Sequence, residues 1–120
     1  MPTPSGHTRA ILTSKITGTS VYNAAGDKLG HVEDVVLDKL SNNIMFAVLS
    51  FGGFLGMGEK FHALPWSTLD YSDDKDGYVV PYDKETLKAA PVYDKDQLTQ
   101  DDGSVRAAAF DYYKAEPYWQ

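Results

Sequence analysis

Three groups of residues in this 120-residue sequence have the types and spacing to do chemistry. The first is the glycine-rich run S-F-G-G-F-L-G-M-G-E-K from Ser50 to Lys60, where clustered glycines ahead of a lysine invite comparison with a phosphate cradle. Such a cradle needs G-x-x-x-x-G-K-[ST] running into a helix. Here Glu59 separates Gly58 from Lys60 and the following residues read as a strand, so the run is a loop and not a nucleotide site. The second group is Ser72, Asp74, Asp76 and Gly77, which take the first, third, fifth and sixth places of a calcium-loop pattern with Asp83 at the twelfth. Serine stands where aspartate belongs and the flanks read as strands where helices are required, which favours a solvated turn. The third group is the histidines. His31 and Glu33 alternate along one strand and His62 can lie across from them, a small acid/base cluster, but neither a nucleophile nor an orienting third group accompanies it. His7 stands apart. Asp34, inside the apolar run V-E-D-V, reads as a structural acid that caps backbone donors at a bend.

Composition removes several other chemistries. Cysteine is absent, which excludes disulfides, thiolate nucleophiles and cysteine-held metals. Between Asp70 and Asp102 ten acids face four lysines, so this stretch carries the whole formal charge of -6. Without a stripe of Lys or Arg there is nothing to neutralise phosphates, and nucleic-acid binding is not expected. Nor is membrane insertion, because no segment approaches a bilayer span and Met1 to Ser14 lacks an apolar run of signal length. A cytoplasmic chain is the expectation. No cofactor is expected either.

With 42% hydrophobic and 23% charged residues, the chain suits one compact core. Ser20 to Tyr22 reads as a short strand, turned at Asn23 to Lys28 with Gly26 at the tight point. Leu29 to Asp38 is β-branched, but its alternation loses phase near Asp34 and Val35, which predicts a bulge or bend. After the turn Ser41 to Asn43, Ile44 to Phe51 is apolar on both faces and must be covered twice, by an outer element or a second subunit. Glu59 to Trp66 is a strand whose Pro65 marks its end or a sheet edge. Leu69 to Ser72 and Tyr78 to Tyr82 flank a polar turn in which Gly77 is assigned the positive φ. Asp83 caps one helical turn, Pro91 ends it, and a loose acidic stretch follows. Ser104 opens the best helix, with Val105, Ala108, Ala109 and Tyr112 at helical spacing and Pro117 as its stop. Short strands at this spacing predict a small antiparallel barrel.

The order of these motifs carries a resemblance. G-T-S-V-Y-N-A-A-G-D-K-L-G-H-V-E-D-V-V-L-D from Gly18, A-V-L-S-F-G-G-F-L-G-M-G-E-K from Ala47 and A-L-P-W-S-T-L from Ala63 are similar to the PRC-barrel family. That family includes the cytoplasmic domain of the photosynthetic reaction-centre H subunit, the C-terminal domain of a ribosome maturation factor and stand-alone bacterial proteins. The resemblance spans Ile16 to Pro91 and implies a mainly β, six-stranded antiparallel barrel with a short C-terminal helix, used as an assembly or docking surface and carrying no catalytic residues. The Tyr112-Tyr113 pair and E-P-Y-W ending are also similar to the tails of stand-alone members.

The expected organisation is a flexible arm over 1–15, the barrel over 16–91, and an acidic linker with the helix and a Tyr/Trp tail over 92–120. Phe54, Leu55 and Met57 sit on a glycine-rich loop with no evident local burial. With Phe51, Tyr112, Tyr118 and Trp119 they form the expected interface, for a homodimer and an unidentified protein partner. Gly26, Gly30, Asp34, Gly52, Gly53, Pro65 and Gly77 are the expected turn and bend positions. The alternative function is small-ligand or cation binding at the acidic turn 72–83, or a proton relay.

Overall fold

A computed structural model describes residues 10–51, 60–100 and 103–117. One helical turn, α1 (Thr13–Ile16), precedes β1 (Ser20–Tyr22), β2 (Lys28–Leu37), β3 (Ile44–Phe51) and β4 (His62–Pro65). A 3-10 turn at Trp66–Thr68 leads to β5 (Asp70–Ser72) and β6 (Gly77–Val79), followed by α2 (Lys84–Ala89), α3 (Lys95–Leu98) and α4 (Ser104–Tyr112). The six strands form a single sheet in the order β4-β3-β2-β1-β6-β5. A mainly β fold with six strands and a short C-terminal helix is therefore present.

Two features of the expected barrel are corrected. The sheet is mixed, because β1 and β6 pair in parallel through Val21 with Tyr78 and Tyr22 with Val79. The successive antiparallel pairings of β1 to β4 set β4 opposite to β1. β6 runs with β1 and β5 is antiparallel to β6, so β5 continues in the sense of β4 across the 3-10 turn. The sheet is also not closed by hydrogen bonds, since β4 and β5 are its two edges and no described pair joins them. Pro65 ends β4 on one of those edges, where its missing N–H breaks no inner ladder.

The bulge in β2 explains the lost alternation. Val32 pairs with Leu49 and Asp34 with the adjacent Val48, so Glu33 is the extra residue. Insertion of one residue puts Val32 and Val35, three apart, on the same inner face. They meet Val21, Leu29, Ala47, Leu49, Leu64, Tyr78, Val80 and Leu87 in the inner cluster. Asp34 follows the bulge, its Oδ1 accepting the Val35 N–H at 2.8 Å.

β3 is buried on both faces, as its composition requires, and the second cover comes from the chain itself. Ala47 and Leu49 point inward, whereas Phe46 and Val48 face an outer cluster with Phe61, Ala63, Leu98, Val105, Ala109 and Phe110. The Phe46 and Phe110 rings pack at 5.9 Å. Full burial of each such side chain is worth roughly 2 kcal/mol, enough to hold a helix too short to form alone.

Three local expectations change. The acidic stretch after Pro91 holds α3, anchored by a reciprocal cap in which Asp94 accepts from Gln97 N–H at 2.8 Å and Gln97 Oε1 accepts from Asp94 N–H at 2.9 Å. α4 ends at Tyr112 instead of running to Pro117, and Lys114 turns the chain at φ 57. Its buried stripe is Val105, Ala109 and Phe110, with Ala108 exposed. In the β5–β6 turn the positive φ, 51, belongs to Asp76 and not to Gly77. Gly77 is needed because a Cβ there would meet the Ser20 carbonyl oxygen at 2.6 Å.

Candidate functional site

The expected interface residues divide into those the structure describes and those it does not. Phe51 ends β3, half-buried, its ring edge-on to His62 at 5.6 Å. Tyr112 is half-buried, packs on the inner cluster, and donates its hydroxyl to the Thr86 carbonyl at 2.7 Å. Phe54, Leu55, Met57, Gly52 and Gly53 lie outside the described residues, as do Tyr118 and Trp119.

Exposed apolar surface that the sequence reading passed over lies at the β2–β3 turn. Leu37 is 53% and Leu40 95% exposed, beside the half-buried Val36, Ile44 and Met45. The turn beneath them is well built: Asp38 Oδ1 accepts the Leu40 N–H at 2.9 Å, the Asp38 carbonyl accepts from Asn42 at 2.8 Å, and Asn42 adopts φ 63. The signal was the L-D-K-L run, which places two leucines around a turn where polar residues serve better.

An open groove of about 680 Å³ runs past the β5–β6 end of the sheet, lined by Ser67, Thr68, Asp70, Tyr82, Tyr113 and Lys114 among others. Tyr82 and Tyr113 pack at 4.8 Å and the Tyr82 hydroxyl donates to the Tyr113 carbonyl at 3.1 Å. Burial pushes the Tyr113 phenol far up, so it stays a neutral wall of the groove. Among the described residues that line this groove, no pair of groups has the nucleophile and base relation that acyl or phosphoryl chemistry requires.

His31 and His62 are not brought together, and His7 lies outside the described residues. His31 Nε2 lies 3.4 Å from Glu33 Oε1 on the half-exposed face of β2, and Glu33 also meets Lys95 Nζ at 3.5 Å. His62 pairs in register with Leu49, whose side chain is in the inner cluster, and is only 1% exposed. Burial drives its imidazole down to about 4, against the opposing pull of the Pro91 carbonyl.

The acidic turn is engaged locally. Tyr71 donates its hydroxyl to Asp76 Oδ1 at 2.6 Å, which with the nearby carboxylates pushes the phenol up to about 12. Lys75 Nζ sits 5.3 Å over the Tyr22 ring. Asp83 is committed to capping α2, its Oδ1 accepting the Thr86 N–H at 2.8 Å, and that bond lowers its carboxyl below the usual range. Among the described residues no three His, Asp or Glu side chains are grouped to hold a metal ion. No helix among them is long and apolar enough to cross a membrane.

Comparison with known proteins agrees with the motif order. A family model for the PRC-barrel domain matches residues 9–87, more than half of the chain, and the protein belongs to that family. The match takes in every strand of the sheet and ends within α2. No curated protein matches the chain. Members of this family are generally non-enzymatic modules.

Proposed function

We propose that the chain is a non-catalytic interaction module that self-associates and docks a protein partner from the cytoplasm. Family membership is the observation that carries the reading. Support comes from the exposed leucines at the β2–β3 turn, a surface suited to contact, and from the sequence of the glycine-rich run, which carries Phe54, Leu55 and Met57. A bound homodimer would cover these groups.

Sedimentation equilibrium of the full chain from micromolar to millimolar concentration tests the reading. Reversible dimerisation is expected, weakened at least tenfold in Phe54→Ser/Leu55→Ser or in Leu37→Ser/Leu40→Ser. A chain that stays monomeric throughout, with neither double variant changing anything, contradicts self-association.

A further inference from the structure

The outer face of β3 and β4 is covered by residues that lie beyond the family match, and the way they are attached suits exchange between copies. Phe46, Val48, Phe61 and Ala63 are buried there beneath Leu98, Val105, Ala109 and Phe110. Left bare, that face would be a contiguous apolar patch of the kind that drives association. Its main cover is α4, nine residues long and therefore not stable as an isolated helix. The helix starts from Gly103, left-handed at φ 79, without a side-chain cap. Glycine tolerates a change of backbone direction at that point better than any other residue. The segment before it stays with its own sheet, through the reciprocal backbone bonds of Phe61 and Tyr93 at 2.7 and 2.9 Å and the burial of Leu98, so α4 is the element that can exchange.

We infer that α4 is exchanged between two copies of this chain, the helix of each lying on the β3–β4 face of the other. A second copy is the occupant that fits, because the ridge of Val105, Ala109 and Phe110 already complements that face. Exchange remakes each contact of the closed monomer, including the hydroxyl bonds from Tyr112 to the Thr86 carbonyl and from Tyr82 to the Tyr113 carbonyl. Closed and exchanged forms then differ by the hinge and by association entropy alone, so concentration decides between them. This inference rests on the self-association proposed above and adds to it a second contact, the exchanged helix.

The native chain has no cysteine, which makes disulfide trapping clean. Full-length Ala63→Cys and Ala109→Cys chains are mixed in equal amounts at millimolar concentration and then oxidised. The expected product is a disulfide dimer joining the two different variants, several-fold in excess of either homodimer and increasing with concentration. The double variant should give a doubly linked dimer beside cross-linked monomer. Should it close entirely to monomer while the mixture yields no mixed dimer, α4 does not leave its own sheet and the inference is wrong. Far-UV circular dichroism checks folding, and Val48→Cys with Val105→Cys replaces the alanine pair if those variants do not fold. Sedimentation of the unaltered chain separates the two ideas. A dimer without the mixed disulfide overturns exchange and leaves self-association standing, whereas a monomer at every concentration overturns both.

Discussion

Glycine positions show how much depends on what lies across a strand. A Cβ on Gly30 would come within 2.0 Å of the Ser50 carbonyl oxygen, a backbone atom that cannot swing aside. Gly18 has φ 91 but open space around it. Gly30→Ala is therefore expected to cost about 3 kcal/mol in urea denaturation, through forced separation of β2 and β3, and Gly18→Ala only about 1 kcal/mol, through backbone strain. Equal costs would mean that β2 and β3 are not so closely apposed. His62 supplies the pH dependence. The unfolded chain takes up a proton near 6.5, whereas the buried imidazole resists until about 4. Unfolding thus binds a proton between those values: stability is complete above 6.5, falls as pH drops through the window, and levels below 4. The loss should be on the order of 3 kcal/mol, and His62→Leu should flatten it in melts taken at pH 7, 5.5 and 4.5. The role of Gly26 was legible because a tight turn is encoded within a few residues. Gly30 and Gly77 owe their necessity to Ser50 and Ser20, which only the assembled sheet brings near, and the buried state of His62 depends on its pairing with Leu49.

Among the elements, the bulge was visible as broken alternation because a strand's period of two leaves no other way to put Val32 and Val35 on one face. α3 went unseen despite a sufficient signal. D-K-D-Q followed by Leu98 is a reciprocal cap and an apolar anchor, but the surrounding acids made the stretch look like linker. Asp94→Ala should cost about 1 kcal/mol and speed hydrogen exchange at Leu98 and Thr99, while the amides of β2 are unaffected. No change at those amides would show that Leu98 burial alone holds the turn. α4 was placed correctly at its start, yet the helical spacing was read through Ala108 and not through Phe110. Small residues on all sides of a helix give spacing no contrast, and the Phe46 ring opposite decides which side turns inward.

For the molecule as a whole, six strands and their hairpins were readable from turns and β-branched runs, but the parallel β1–β6 pair was not. It follows from the three-residue 3-10 turn that lets β5 continue in the sense of β4, and no local residue pattern distinguishes that from a reversing turn. The same holds for the two covers of β3. Its doubly apolar composition demanded a second layer, and only the path of the chain after Pro91 reveals that α3 and α4 provide it. Because Ala47 and Leu49 belong to the inner cluster and Phe46 and Val48 to the outer, one strand couples both layers. The two should therefore unfold as a unit. Phe110→Ala removes the ring packed on Phe46 and should cost roughly 3 to 5 kcal/mol, lowering the urea midpoint with the denaturant slope unchanged. A reduced slope with a nearly constant midpoint would mean instead that the variant's native state had already lost α4 and that the inner cluster stands without its outer cover.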